Sequence, residues 1–320
     1  MSDLGGSGVS AAQSPRMTVG VPVYNAQQFL AETLDHLLSQ SFADFEIVIS
    51  DNASTDATQE MCRQYAKLDS RIRYSRSEIN RGLAWNFNRT LELARGEYFT
   101  WNASDDVGLP AHLERCVQAL DAQPATALAL ARVQLIDAMG RVVGELEDRD
   151  LALSDPDPAV RAREYSKRQA FHCIGYGGVM RTSVLRGFGG LPDYYGGDLI
   201  LGLRMAIAFP FAVLDEQLYQ ARRHPAQSSN LQTASIDQQV TQFADGRRTL
   251  LYLPQWRMNA EMMGCALTSP IPPLARAQSA VAVLTGWTLP HWRLLLFDIK
   301  RNVNHLYRAA RARRPKPERR

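Results

Sequence analysis

The chain has 320 residues, a length that fits two ordinary domains or one large α/β unit. Hydrophobic residues make up 45% and charged residues 22%, which excludes a disordered chain, a collagen-like repeat and a disulfide scaffold. The 36 basic and 33 acidic residues give a net charge of +3, too even to indicate nucleic acid as a partner. No apolar stretch approaches the ~18 residues of a transmembrane helix. Residues 1–16 are predicted to form a disordered tail without a signal peptide, and four scattered cysteines indicate reduced thiols in a cytoplasmic protein.

Strands and single helices alternate in the first third of the chain. Fully apolar or β-branched stretches predict four strands: Met17–Val23, Phe45–Ser50, Arg71–Ser75 and Tyr98–Trp101. Apolar residues at helical spacing predict a helix after each of the first three strands, the first carrying Leu30, Leu34 and Leu37 and the second capped by Ser54 or Thr55. Short apolar strands separated by single helices predict a mainly parallel sheet with helices on both faces.

The next elements are predicted to extend the same α/β unit as far as residue 230. They are a helix near Pro110–Gln123, a hairpin of Val133–Asp137 and Arg141–Gly144, a flexible loop at Asp148–Pro158, a strand at Tyr176–Arg181, a glycine-rich loop at Gly187–Gly197, a helix beginning at Asp198 and a strand at Phe211–Arg222.

Three loops follow predicted strands and carry most of the polar chemistry: Pro22–Asn25, Asp51–Asp56 and Asn102–Asp106. Ligands of open α/β sheets bind beyond the carboxyl ends of the strands. We therefore expect these loops to meet at one rim and to form the binding site.

The rim lacks the usual signatures for phosphate binding. The turn after the first strand reads PVYNA instead of G-x-G-x-x-G, and no Walker P-loop is present. A divalent cation held by carboxylates can neutralise a diphosphate instead, and Mg²⁺ and Mn²⁺ favour such hard oxygen ligands. Asp105 and Asp106, adjacent at a strand end, fit this role, although paired acids before a helix are often turn or capping residues.

At these residues the sequence resembles the GT-A nucleotide-sugar glycosyltransferases, specifically the inverting group called family 2. The resemblance rests on VGVPVYNAQQFLAETLDHLLSQSF, FEIVISDNASTDAT and NRGLAWNFNRTLELARGEYFTWNASDD, followed by GGDLILGLR and RRHPAQSS. It covers about two-thirds of the chain. The sequence departs from the family pattern at Ser104, where an Asp often stands, and at Asn52 and Ala53, which replace an acid and a glycine.

The resemblance implies roles for the strand-end residues. Those assigned to the nucleotide are Pro22 and Tyr24 at the base, Asn25 beside them, Asp51 at the base or ribose, Arg81 in the loop before the third helix, and Asp105 at the ribose. Asp106 would ligate Mn²⁺ or Mg²⁺ bridging the diphosphate, with His224 as a metal ligand or phosphate donor. Arg222 and Arg223 would pair with the diphosphate, since a guanidinium can make paired hydrogen bonds to phosphate. Core packing of Tyr24, a turn role for Asp51 and surface positions for Arg81 and Asp105 remain alternatives.

An inverting transfer also needs a base that takes the proton of the acceptor hydroxyl. The resemblance assigns this role to Asp198 in GGDLILGLR. A purely structural alternative is that Asp198 caps the helix beginning there, because Asp is a favoured N-cap residue.

The C-terminal region, residues 231–320, is predicted to be helical with a basic tail. Trp292, Leu295, Leu296, Ile299, Val303, Leu306 and Tyr307 form one apolar helical stripe, and an arginine-rich segment follows it. Such a stripe can pack on the protein's own core. Alternatively, residues 291–320 can make peripheral contact with the inner face of a cell membrane.

These features predict a GT-A glycosyltransferase domain over residues 17–230, with a nucleotide-binding half at 17–107 and an acceptor half at 108–230. We expect metal-dependent, inverting transfer from a nucleoside-diphosphate sugar, with UDP as the expected nucleotide, to a saccharide or lipid-linked acceptor of the cell envelope. The alternatives are a nucleotidyltransferase, which normally has a glycine-rich basic loop after the first strand, and a non-catalytic nucleotide-sugar-binding protein.

Overall fold

The computed structural model describes residues 14–146, 152–167, 177–194, 196–225 and 253–312, with side chains as far as residue 303. The described strands form one mixed sheet in the order β3-β2-β1-β4-β8-β6-β9-β5, with β7 paired to β6. The strands are β1 Met17–Val23, β2 Phe45–Asp51, β3 Ile72–Arg76, β4 Tyr98–Trp101, β5 Val107–Gly108, β6 Leu128–Ile136, β7 Val142–Glu145, β8 Val179–Arg181 and β9 Phe211–Arg222.

Ten α-helices lie within the described residues. They are α1 Leu30–Leu38, α2 Thr58–Leu68, α3 Leu83–Leu93, α4 His112–Ala122, α5 Pro158–Lys167, α6 Thr182–Gly187, α7 Gly197–Ala208, α8 Pro254–Thr268, α9 Pro273–Val283 and α10 Trp292–Ala312. No described helix is both long and apolar enough to cross a membrane.

The sheet of the first half is parallel and buried on both faces, as predicted. Strands β3, β2, β1 and β4 run parallel, and every residue of β1 and β2 is buried. Helices α1, α2 and α4 pack on one face, while α3 packs on the other. Helix α3 approaches β1 so closely at Gly20 that a Cβ there would overlap Thr90 and Phe99. The α/β fold with a mainly parallel sheet is therefore confirmed.

The second half joins this sheet through antiparallel and parallel pairs. Strand β8 pairs antiparallel with β4 and β6, and β6 runs parallel to β9. The two-residue strand β5 pairs antiparallel with β9, matching Val107 to Gln220 and Gly108 to Tyr219. This pairing places the loop that carries Asp105 and Asp106 beside the end of β9, which leads into the Arg222–His224 segment.

The described part of the C-terminal region, residues 253–312, is mainly helical, as predicted. Helices α8 and α9 complete the same core as α5 and α7, where Met258, Val283 and Trp287 are buried. Helix α10 packs on α8. Residues 1–13 and 226–252, which include most of the expected N-terminal tail, lie outside the described residues.

Three local expectations are wrong. Ser54 and Thr55 do not cap α2, because its N-cap is Ala57 and Asp56 instead accepts a hydrogen bond from the N–H of Thr58. The expected flexible loop at Asp148–Pro158, whose first four residues lie outside the described residues, contains a 3₁₀ turn at Ala152–Ser154 in which Leu153 is buried. Helix α7 begins at Gly197 after Gly196, whose φ of 78° suits glycine, so Asp198 lies in the first turn and does not cap the helix.

Candidate active site

Asp51, the last residue of β2, is a buried anchor for the loops around it. Its Oδ1 accepts a hydrogen bond from the N–H of Ser54 at 2.8 Å. Its Oδ2 accepts from the hydroxyl of Tyr74 at 2.8 Å and pairs with the guanidinium of Arg76 at 2.7 Å. Burial raises the pKa of Asp51, but these hydrogen bonds outweigh it and hold the pKa below its usual value. The carboxylate is fully enclosed by protein groups.

The loop after β1 is held against the loop after β2. Asn25, with a φ of 50°, donates its N–H to Ser54 Oγ at 3.0 Å, and its Oδ1 accepts from the N–H of Thr55 at 2.9 Å. Pro22 is buried within β1, whereas Tyr24 is 50% exposed at the rim. The exposure of Tyr24 rules out core packing and leaves its ring accessible.

Asn52 connects the same rim to the loop before α3. Its Oδ1 accepts from the N–H of Arg81 at 2.9 Å, while its Nδ2 donates to Asn80 Oδ1 and to the carbonyl of Gly82. The exposed guanidinium of Arg81 lies over the Trp85 ring, 5.0 Å from its centroid. In the sequence, Asn52 stands out only as a departure from the family pattern. Its amide, which can both donate and accept, was the signal for this bridging role.

Asp106 is buried, with 5% of its surface exposed, and both carboxylate oxygens contact protein donors. Oδ1 accepts from the N–H of Arg222 at 2.9 Å, and Oδ2 accepts from the hydroxyl of Tyr219 at 3.3 Å. Burial, followed by the nearby charge of Asp105, raises the pKa of Asp106. Asp106 therefore fastens its loop to β9.

Asp105 is the partly exposed member of the acidic pair, and it faces His224. Its Oδ2 lies 2.9 Å from His224 Nε2. The His224 ring packs on Phe29, with centroids 4.9 Å apart. The strand-end loop and the segment after β9 thus bring one carboxylate oxygen and one imidazole nitrogen to the same point.

Arg222 is occupied by protein groups. Its Nε donates to the carbonyl of Asp105 at 2.9 Å, its Nη2 pairs with Glu32 at 2.7 Å, and its guanidinium lies over Phe29. Arg223 donates its N–H to the carbonyl of Ile136 at 2.7 Å. Through its hydrogen bond to the carbonyl of Asp105, Arg222 fixes the backbone that carries the Asp105 side chain.

Asp198 lies partly exposed in the first turn of α7. The loop before it is tied to α3 by Asn88, which donates to the carbonyl of Leu191 at 2.8 Å and accepts from its N–H at 2.7 Å. Since α3 begins at the loop that carries Arg81, one helix positions both a predicted nucleotide contact and the loop of the predicted base. No local pattern in the sequence singles out Asn88, because its partner Leu191 is 103 positions away.

Known proteins resemble the chain over much of its length. The family model described as glycosyl transferase family 2 matches residues 18–188, more than half of the chain. EpsE of Bacillus subtilis, a proposed glycosyltransferase, is 27% identical over 254 residues, which are 76% of this chain and 86% of EpsE. TuaG of the same organism, a proposed teichuronic acid biosynthesis glycosyltransferase, is 39% identical over 92 residues, which are 29% of this chain and 36% of TuaG.

A solved structure shares the fold. Crystalline S. aureus TarS (residues 1–349) in complex with UDP-GlcNAc superposes with a TM-score of 0.63 at 19% identity, covering 85% of this chain and 72% of that chain. Together with the sheet order, these matches define a glycosyltransferase of the GT-A fold. The chain belongs to glycosyl transferase family 2. This membership decides against the nucleotidyltransferase and non-catalytic alternatives.

Proposed function

We propose that the protein transfers a sugar, with inversion, from a UDP-sugar to an acceptor hydroxyl. The observation that carries the proposal is the contact between Asp105 and His224. It brings a carboxylate and an imidazole together at the strand ends where the sequence predicts a metal site. The family membership and the UDP-GlcNAc bound to TarS support the donor class.

The nucleotide is proposed to bind along the rim formed by the loops after β1 and β2 and before α3. Tyr24 offers an exposed ring for stacking on the base, and Arg81 offers an exposed guanidinium. Pro22 and Asn25 shape this rim. The carboxylate of Asp51 is enclosed, so we propose that it does not contact the nucleotide directly. It supports the rim by holding the Ser54 loop and Arg76 in place.

A divalent cation fits the Asp105–His224 pair. Asp105 Oδ2 and His224 Nε2, which lie 2.9 Å apart at hydrogen-bonding distance, are the two atoms that would hold Mn²⁺ or Mg²⁺. No group of three or more acidic, histidine or cysteine side chains suited to a metal occurs in the part of the chain that the structure describes. Donor phosphates would therefore complete the coordination, as is usual for Mg²⁺.

This assignment moves the predicted metal-ligand role from Asp106 to Asp105 and leaves Asp106 with a structural role. The sequence assigned the ribose to Asp105 and the metal to Asp106 and His224. We assign the metal to Asp105 and His224 because both oxygens of Asp106 are engaged by Arg222 and Tyr219. Bound Mn²⁺ or Mg²⁺ would offset the negative charge that grows on the departing diphosphate.

Asp198 is proposed to accept the proton of the attacking hydroxyl. The carboxylate is partly exposed, and its loop is fixed to α3 through Asn88. Arg223 is proposed to support the diphosphate, while Arg222 positions the Asp105 backbone. A cell-envelope glycan or glycolipid is the proposed acceptor, a class that the proposed role of TuaG in teichuronic acid biosynthesis supports.

Asp198→Asn tests the mechanism. We expect the variant to keep its UDP-induced rise in melting temperature and to lose transfer by about 10²-fold or more, because only proton removal is affected. Asp193→Asn, at an exposed position in the loop that precedes α7, is the matched control and should retain transfer. Retained transfer in Asp198→Asn would mean that another group is the base.

A further inference from the structure

Of the seven residues in the predicted stripe of α10, Leu295 is buried, Leu306 and Tyr307 lie beyond the described side chains, and the other four form an exposed apolar stripe. Trp292, Leu296, Ile299 and Val303 follow each other at spacings of four, three and four residues, so they lie along one side of the helix. Their side chains are between 43% and 58% exposed. The expectation that this stripe packs on the protein's own core is therefore not met by these residues.

A different and more polar face holds α10 in place. Leu295, Asp298 and Asn302 are the buried residues of this helix. Asp298 Oδ2 accepts from the N–H of Gln255 at the start of α8 at 2.7 Å, and Trp256 Nε1 donates to the carbonyl of Leu295 at 3.0 Å. Because these contacts fix the rotation of the helix, the exposed apolar stripe lies beside the buried face and remains accessible to solvent.

The border of the stripe is basic. Arg293 and Lys300 are exposed and follow Trp292 and Ile299 by one position, so they lie along one edge of the stripe. The one acid in the sequence of α10 is Asp298, which is buried and lies 3.5 Å from Arg301. The sequence beyond residue 307 adds seven basic residues and one acid: Arg308, Arg311, Arg313, Arg314, Lys316, Arg319, Arg320 and Glu318.

We infer that this face of α10 binds the surface of an anionic lipid bilayer. An interfacial helix places aromatic and aliphatic side chains among the lipids, and its basic border attracts acidic headgroups. A tryptophan at one end of the stripe suits the interface between hydrocarbon and water. Pairing with a second copy fits less well, because it would bring two basic borders together.

Helix α8 connects this face to the active site. It holds α10 through Gln255 and Trp256, and it contacts the loop before Asp198 through Arg257, which lies over the Tyr194 ring at 4.2 Å. If α10 docks on a bilayer, only α8 separates the lipid surface from the loop before Asp198. A lipid-linked acceptor would be presented at that surface. This last step alone rests on the proposed function.

Vesicle flotation of the full chain tests the inference. We expect the protein to float with phosphatidylcholine vesicles that contain about 30% phosphatidylglycerol and to stay behind with phosphatidylcholine alone. The double variant Leu296→Glu/Ile299→Glu should lose flotation. Arg293→Glu/Lys300→Glu should weaken it by about tenfold or more. Leu68→Glu, at an exposed leucine of α2, is the matched control and should float like the unmodified protein.

Three results would overturn the inference. The first is equal flotation of the stripe variant and the unmodified protein. The second is absence of flotation of the unmodified protein with the anionic vesicles, and a dimer seen by light scattering that the stripe variant dissolves would then assign the stripe to self-association. The third concerns stability. The melting temperature should be unchanged in the stripe variant because both side chains are exposed; a large drop would show that the stripe is covered and would also contradict the inference. UDP binding is measured in parallel, so failure of docking is separable from failure of the proposed function.

Discussion

The backbone N–H of Arg222 donates a hydrogen bond to Oδ1 of Asp106 at 2.9 Å, across 116 positions of the chain. This contact joins the strand-end loop to the segment that carries His224. It also gives Asp106 a structural task in which the negative charge is not required. The two acids of the Asp105–Asp106 pair should therefore respond differently to the same substitution.

Asp106→Asn should fold with nearly unchanged stability. An amide can accept from the N–H of Arg222 through its oxygen and donate to the Tyr219 hydroxyl through its nitrogen. Asp106→Ala leaves a buried donor unsatisfied and should lose about 1–3 kcal/mol of unfolding free energy. Urea denaturation measures both. Equal losses in the two variants would show that the charge itself is needed.

Asp105→Asn and His224→Ala should raise the Mn²⁺ concentration needed for half-maximal UDP release by about tenfold or more, since each removes a proposed ligand. Asp106→Asn serves as the control and should keep the Mn²⁺ requirement of the unmodified protein. The prediction fails if Asp106→Asn shifts the Mn²⁺ titration as far as Asp105→Asn does.

His112 should make stability fall in acid. Burial lowers the pKa of His112 from 6.5 to about 4, so the folded protein resists a proton that the unfolded chain accepts. Its contribution is complete above pH 6.5 and is lost as the pH falls towards 4, with a total of about 3 kcal/mol. The dependence of the unfolding free energy on pH is measured by denaturation at several pH values in the Asp106→Asn background. This background is used because the raised pKa of Asp106 would otherwise add a second titration to the curve. His112→Leu should flatten the slope, and an unchanged slope would assign it to other groups.

Asn88→Ala should lower kcat while leaving UDP affinity nearly unchanged. The variant loses both hydrogen bonds to Leu191 and loosens the loop before Asp198 without touching the nucleotide rim. Asn88→Asp keeps the acceptor and loses the donor, so it should retain intermediate activity. Measured kcat and UDP affinity decide the matter: a parallel fall in affinity would mean that Asn88 acts on the donor site.

Ala53→Gly should be at least as stable as the unmodified protein. Ala53 has a φ of 64°, in the left-handed region that costs a non-glycine residue about 1–2 kcal/mol. Glycine removes this cost but adds about 0.4–1 kcal/mol of unfolded-state entropy. Ala53→Val should be destabilised, because a branched side chain disfavours this conformation further. Urea midpoints compare the three proteins, and a Gly variant less stable than Ala would contradict the argument.

The sequence predicted the strands well because their signal is local. Strands Met17–Val23, Tyr98–Trp101 and Phe211–Arg222 have the predicted bounds, since each is a run of mostly apolar residues ended by polar ones. Helix α5 was not predicted, because its buried face is formed by small and polar residues, including Ala162 and Arg161. An inward arginine carries no apolar periodicity; Arg161 is accommodated by donating to the carbonyls of Ala206 and Ile207.

The candidate site was predictable as a set of loops but not as a set of contacts. Strand order and strand ends brought the Asp51, Asp105 and His224 segments to one rim. The orientation of adjacent acids depends on a long-range register between β5 and β9, which no local pattern encodes. The same register turns Arg222 towards the protein, where it binds the carbonyl of Asp105. The rotation of α10 was equally hard to predict, because it is set by the hydrogen bond of Asp298 to Gln255 and not by the apolar stripe.

The short pairing of β5 with β9 has a mechanical consequence. Two residues of backbone ladder, reinforced by Asp106, couple the strand-end turn to the chain that emerges from β9. Displacements of the outer part of the sheet would carry both segments together as a rigid unit. The distance between Asp105 and His224, and with it the proposed metal site, would therefore be preserved when other parts of the sheet move.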